Sequence, residues 1–273
     1  MVFHLRNSHR VKKKEQVLYV LGAIVLLAVL YFGFDINPST HKALEKSRAL
    51  NTEEYDITSY QAEAKKSLKE EDIKYLETLE AQAQHAGQDS SRLNSLKLLS
   101  GYWYKLGNPV MAGLYAREVA EKENSGLGWS IAGTTFASGL QQDLEEKQKL
   151  FLRNQALAAF ENAISLEPEV VDHRINQALC YIEMPEEGQP MKGIQMLAGL
   201  ATSYPESPAP PFQLARLAVK TGQYDRALTR IEQALKLDPE DSRIACLAID
   251  IYTALNKPEE AAKLADKYKV ICC

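Results

Sequence analysis

Cysteine is scarce in this chain, and no pair of them is spaced to hold a metal. The 273 residues include Cys180, Cys246, Cys272 and Cys273, too few for a disulfide scaffold and without a C-x-x-C pair. Cys180 and Cys246 fall inside apolar helical stretches and are expected in the core. Histidine is equally thin. His4, His9, His41, His85 and His173 stand apart, with no H-E-x-x-H and no second ligand one helical turn away. No metal site or other cofactor is expected. Gly126-Leu127-Gly128 lacks the rest of any phosphate-binding loop and reads as packing at a helix entry. The carboxylate clusters at 53–55, 69–72 and 143–147 lie among lysines or other polar residues, as solvated helix faces do. Nothing marks a catalytic pocket around them. The residues therefore point away from an enzyme, leaving a membrane-bound enzyme with an unrecognised site as the remote alternative.

Excess positive charge is also missing. With 32 basic and 36 acidic side chains the formal charge is −4, which argues against nucleic acid as a partner. The charge is uneven, however. Arg6, Arg10, Lys12, Lys13 and Lys14 precede Val17 with only Glu15 against them, so the remainder carries a formal −8. Hydrophobic residues make up 45 % of the chain, enough for an ordinary buried core.

One segment has no charge at all. VLYVLGAIVLLAVLYFGF, residues 17–34, contains neither charged nor amide side chains over 18 residues. As a helix it would extend roughly 27 Å, close to the hydrocarbon thickness of a bilayer. Tyr19, Tyr31, Phe32 and Phe34 lie toward its ends, where interfacial aromatics are favoured. It is longer than a signal-peptide core and no A-x-A-like cleavage site follows, so a retained membrane anchor is expected. Five cations precede it, against Lys42, Lys46 and Arg48 after it. The positive-inside rule keeps residues 1–16 cytoplasmic as a basic tail and sends the rest across an inner membrane, into the periplasm in a bacterium. The reverse orientation would describe a cytosol-facing organellar receptor. Residues 35–56 read as a linker.

Beyond the linker a spacing recurs. Pro205 and Pro239 are 34 residues apart. Ala227, Ile231 and Ala234 precede Pro239 by 12, 8 and 5 residues. Ala156, Phe160 and Ala163 stand at the same distances from Pro168, and Gly193, Leu197 and Leu200 from Pro205. Ala261, Ala265 and Tyr268 repeat the spacing before Cys273, and Trp103, Gly107, Ala112, Ala116 and Val119 fall into register upstream. Residues three and four apart share a helix face, so each set is one packing stripe. Asn108-Pro109 and Ser207-Pro208 read as N-caps followed by proline at the first helical position, and Asn256-Lys257-Pro258 as a turn into the last helix.

A 34-residue period with small–large–small spacing in the second helix resembles the tetratricopeptide repeat, a helix–turn–helix unit. Units begin near Leu93, Leu127, Val171, Pro208 and Ser242. Trp103, Tyr181 and Tyr252 match the family's large residue in the first helix, and Gly107 and Gly222 its inter-helix turn. Position 4 is never Trp. The second and third units carry extra residues, at 140–155 and 184–192, expected as longer helices or loops. The resemblance covers 93–273 well and 57–92 only as a weak or capping helix pair. It implies an all-α solenoid of stacked hairpins, with Ala112, Ala156, Ala163, Ala178, Ala227, Ala234 and Ala261 at the packing contacts. It further implies a scaffold whose first helices line a concave groove that binds a protein or peptide. Of the lining positions, Lys97, Tyr104, Ile131, Ile175, Leu179, Phe212, Arg216 and Arg243 are the candidate contacts. Ile175, Leu179 and Phe212 are alternatively covered by residues 140–155. Gly101 stands where the carboxylate-clamp subtype needs Asn, so that mode of tail binding is not expected. The layout is similar to membrane-anchored repeat proteins that assist assembly or folding of envelope proteins. Partner and oligomeric state are not encoded in these patterns.

Overall fold

The computed structural model describes residues 57–85 and 89–268, together with Tyr19 and Leu21. The chain divides into two units, Met1–Tyr55 and Asp56–Cys273. Of the first, Tyr19 and Leu21 are described; both are helical and exposed. The remainder of the expected 17–34 anchor lies outside the described residues, as do the 1–16 tail and the 35–56 linker. Among the described residues no helix is long and apolar enough to cross a membrane.

In the second unit the described residues form twelve α-helices: α1 Ile57–Lys66, α2 Glu70–His85, α3 Asp89–Lys105, α4 Pro109–Glu123, α5 Gly126–Ala137, α6 Glu146–Leu166, α7 Val171–Glu183, α8 Lys192–Ser203, α9 Ala209–Lys220, α10 Tyr224–Leu237, α11 Ser242–Ala254 and α12 Pro258–Tyr268. From α2 onward each packs against the next in sequence, giving an all-α array of helical hairpins. Such an array has no single centre. Its core is a series of clusters shared between neighbouring hairpins.

The small residues show why the helices can approach. In α10, Ala227, Ile231 and Ala234 are all fully buried, facing Ala215 of α9 and Ile244, Ala248 and Ile251 of α11. Ala112 of α4, Ala156 and Ala163 of α6 and Ala178 of α7 are likewise fully buried. Where contact is closest, alanine is already too large. A Cβ on Gly113 would sit 2.2 Å from the Phe136 ring, and one on Gly133 would sit 2.5 Å from Phe160. Both rings are fully buried, so close packing at these crossings depends on the missing side chain. Ala261 is the exception. Nothing in the described structure packs on the outer side of α12; no residue of that helix is fully buried, Ala261 is half-buried and Ala265 exposed.

Turn chemistry is local and follows the residues. Asn108 caps α4 by accepting from the Met111 amide at 2.9 Å, with Pro109 at the first position. Gly107 and Gly222 have φ of 75° and 71°, the left-handed region that reverses the chain between paired helices; Asn256 does the same at φ 55° before α12. Ser207 does not cap α9. Pro208 occupies the cap position and the helix starts at Ala209, because Pro210 and Pro211, lacking N–H groups, already suit the first turn.

The two insertions take different forms. After α5 the chain continues as a 3-10 turn, Ser138–Gln141, then bends into the 21-residue α6. The segment between Met184 and Lys192 is a tight turn with a single bridge, Glu186 to Gln189, and Gly188 at φ 75°. Lys192 closes it, 2.9 Å from Glu186 and 3.8 Å above the Tyr181 ring. At the front, α1 and α2 occupy the segment read as a weak helix pair. Leu76, Leu79 and Ala83 share a cluster with Leu96, Leu99 and Trp103, so α2 is continuous with the array, and α3 begins before the 92/93 boundary.

Of the two cysteines expected in the core, Cys180 is a buried free thiol, pushed up to about 12 by burial. Cys246 is half-buried on α11 and disulfide-bonded.

Candidate functional site

A hollow lies between α3 and α5 over the edge of α4. It encloses about 640 Å³ and is lined by Lys97, Ser100, Gly101 and Tyr104 of α3, Ala116, Val119 and Glu123 of α4, and Leu127, Gly128, Ile131, Thr134 and Thr135 of α5, with Ser125 at the cap. Three large apolar side chains stand open in it: Tyr104 is 58 % exposed, Leu127 63 % and Ile131 52 %. Leaving them in water forgoes burial worth about 1.5–3 kcal/mol for each aliphatic side chain, a pattern that marks interaction surfaces when such residues are contiguous.

Local chemistry sets the hollow's shape. Ser125 caps α5 by accepting from the Gly128 amide at 3.0 Å, which fixes the phase of that helix and turns Leu127 and Ile131 outward. Gly101 lies within α3, exposed, with nothing within 4 Å of where a Cβ would be. The floor of the hollow is therefore bare backbone. Lys97 is held by Glu123 across the helix pair at 2.5 Å, so the two charges lining the hollow neutralise each other.

Of the expected contacts, Lys97, Tyr104 and Ile131 come together here. The others do not. Ile175 is 2 % exposed and sits in a core cluster with Ala178, Leu197 and Leu200; Leu179 packs half-buried against the same cluster. Ile131 and Ile175 hold equivalent places in the repeat spacing, yet Ile131 is the sixth residue of its helix and Ile175 the fifth. One residue turns a side chain by about 100°, enough to send one into the groove and the other into the core. Phe212 is half-buried against the α10 cluster. Arg216 is exposed and donates to Gln213 at 3.0 Å. Arg243 is engaged by Asp241 at 2.6 Å, in the cap of α11.

Several interactions that sequence spacing does not reveal tie the hairpins together. Glu167, at the end of α6, accepts from the Gly126 amide at 3.0 Å with one oxygen and meets His173 Nε2 at 3.1 Å with the other. His173, isolated in the sequence, is thus a buried strut joining α5, α6 and α7. A repeated device pairs a tyrosine with a carboxylate on a neighbouring helix. Tyr102 donates to Asp72 at 2.6 Å, Tyr115 to Glu80 at 3.2 Å and Tyr252 to Glu232 at 3.0 Å. The hydrogen bond to Asp72 pushes the Tyr102 phenol up to about 12, and burial does the same for Tyr252; burial, with Glu80 beside it, raises Tyr115 further. All three remain protonated donors. Among the described residues no three His, Cys, Asp or Glu side chains converge in a metal-binding cluster.

This architecture is the class of helical-hairpin arrays. The tetratricopeptide repeat family profile matches residues 212–272, spanning most of α9 through α12. Among solved structures, a thermophilic tetratricopeptide repeat protein of Thermus thermophilus is 19 % identical, with coverage of 78 % of this chain and 99 % of that one at a TM-score of 0.47. MamA 41-end from Desulfovibrio magneticus RS-1 is 16 % identical over 67 % of this chain and 96 % of that one, TM-score 0.40, and a crystal structure of MamA protein is 14 % identical over 64 % and 89 %, TM-score 0.39. Among curated proteins none matches this sequence.

Proposed function

We propose that this protein is a membrane-anchored scaffold that binds a partner protein in the concave hollow between α3 and α5. The observation that carries this reading is the contiguous exposure of Tyr104, Leu127 and Ile131 around a bare helix backbone at Gly101. A monomeric array has no packing reason to leave them open. The apolar share of this lining suits a binding surface. Replacing Ile131 by a photo-crosslinking amino acid in cells, with identification of the adduct, tests this. A discrete adduct lost in a Leu127→Glu variant supports the reading; adducts indifferent to Leu127→Glu defeat it.

The anchor is residues 17–34, and the array faces the extracytoplasmic side, where the protein assists assembly or folding of other envelope proteins. The uncharged 18-residue run and the five preceding cations support this placement. A reporter fused after Cys273 and active only outside the cytoplasm decides the orientation. Activity confined to the cytosolic side would make the protein a cytosol-facing receptor instead.

A further inference from the structure

The first helix joins the array in a different way from those that follow. The sequence of α1, ITSYQAEAKK, sets Tyr60 and Ala64 one turn apart with Gln61 and Lys65 in the next row, so its inner face is half apolar and half polar. Tyr60 and Ala64 pack half-buried against the cluster that includes Leu76 and Trp103. The polar row meets Glu80 of α2. Lys65 Nζ lies 2.7 Å from one carboxylate oxygen, and Gln61 donates to the other at 3.1 Å. Tyr60 also donates to Asn108, the cap of α4, at 3.3 Å. Of residues 59–66 none is fully buried. Half-buried side chains therefore hold α1 against α2 and the start of α4.

This attachment leaves no orphan behind when it breaks. A buried polar group stripped of its only partner is strongly unfavourable, and that penalty usually keeps such contacts closed. Here the groups on the array side have partners of their own. Glu80 still accepts from Tyr115 of α4 at 3.2 Å, and Asn108 still accepts from the Met111 amide at 2.9 Å. Leu76 and Leu79 of α2 stay packed with Leu96, Leu99 and Trp103 of α3. Lys65 and Gln61 simply return to water. We infer that α1 is a releasable strap, docked on α2 and α4 through Glu80 and coming away as a unit while the array behind it stays folded. Once free, its 10 residues are too few to hold a helix in water, so the strap unwinds. Residues 57–67 then become chain that extends up to about 35 Å at roughly 3.3 Å per residue. With residues 17–34 as an anchor, a reading on which this consequence rests, the strap sets how far the array reaches from the membrane.

Hydrogen exchange of the full-length protein, resolved to single amides, tests this in lipid nanodiscs and, for any fraction that does not enter them, in solution. Amides 61–66, which have acceptors within α1, are expected to exchange at one shared rate, about a hundredfold or more above those of α2 to α4. Lys65→Gln alters α1 alone. It should speed all of these amides by about fivefold or more, with the rates in α2 to α4 and the melting temperature unchanged. Glu80→Gln retains an acceptor for Tyr115 and should act in the same way from the array side. Rates equal to those of α2 would overturn the strap, because α1 would then open only with the array. So would rates graded from the N-terminal end, as fraying gives, or a Lys65→Gln variant that exchanges like the parent. A strap that opens as a unit in protein that stays outside nanodiscs would uphold the release and defeat the anchor, together with the change of reach.

Discussion

Adding one methyl group to α8 at Gly193 or at Gly199 should move stability in opposite directions. At Gly193 the new Cβ would lie 2.4 Å from the Ala178 carbonyl oxygen, 2.6 Å from Ile182 Cγ1 and 3.0 Å from the Ile182 amide nitrogen. Two of these are backbone atoms of α7 and cannot rotate away, so α7 and α8 must separate by up to about 1 Å to reach ordinary contact near 3.4–3.5 Å. Overpacking of this kind costs about 1–3 kcal/mol. The helix-propensity gain of Gly→Ala, up to about 1 kcal/mol in a helix interior, is smaller here because Gly193 is the second residue of the helix. A net loss of about 1–2 kcal/mol is expected for Gly193→Ala. Gly199 lies in the interior of the same helix, exposed, with nothing within 4 Å of its Cβ position, so Gly199→Ala should gain about 0.5–1 kcal/mol. Thermal unfolding followed by circular dichroism at 222 nm reads the difference. At about 2–4 °C per kcal/mol for a unit of this size, the two variants should melt roughly 3–12 °C apart. A Gly193→Ala variant as stable as the parent would refute the close approach of α7 and α8.

Two further outcomes follow from single side chains. Asp241 caps α11 by accepting from the Arg243 amide at 2.8 Å, and the Arg243 guanidinium beside it holds its carboxyl below the usual carboxylate value. Its contribution is fully present above the unfolded value near 3.9 and is lost as the pH falls through the lower folded value. Asp241→Ala should therefore cost about 1 kcal/mol at pH 7 in denaturant titrations, with the gap closing below about pH 4; a gap that persists unchanged to pH 2 would contradict the ionised cap. Cys180, with its thiol pushed up to about 12, carries about one part in ten thousand thiolate at pH 8 and should resist iodoacetamide until denaturant is added. Prompt alkylation of Cys180 in the folded protein, mapped by mass spectrometry, would show that α7 does not bury it.

The recurring small–large–small stripe was legible without coordinates because it is a local demand. Two helices can come within contact distance only where side chains are small, so Ala156, Ala163, Ala227 and Ala234 announce the packing faces wherever the chain runs. The turns at Gly107, Gly222 and Asn256 and the cap at Asn108 are equally local: each depends on one residue's own backbone freedom or on a side chain reaching three residues ahead.

What the sequence could not decide is which apolar residues remain open once the hairpins stack. Helical periodicity assigns a residue to a face but not to the neighbour that covers it, and a start shifted by one residue separates Ile131 in the groove from Ile175 in the core. Lys97 and Glu123 sit on different helices, and the Glu167 carboxylate reaches Gly126 from 41 residues away. Such pairings leave no spacing to recognise, because they come from where separate helices are brought and not from the order of residues within one. Ala261 and Ala265 show the same limit at the far end of the array. They repeat the packing stripe but stay partly open, because burial takes a second surface and the described structure supplies none beyond α12.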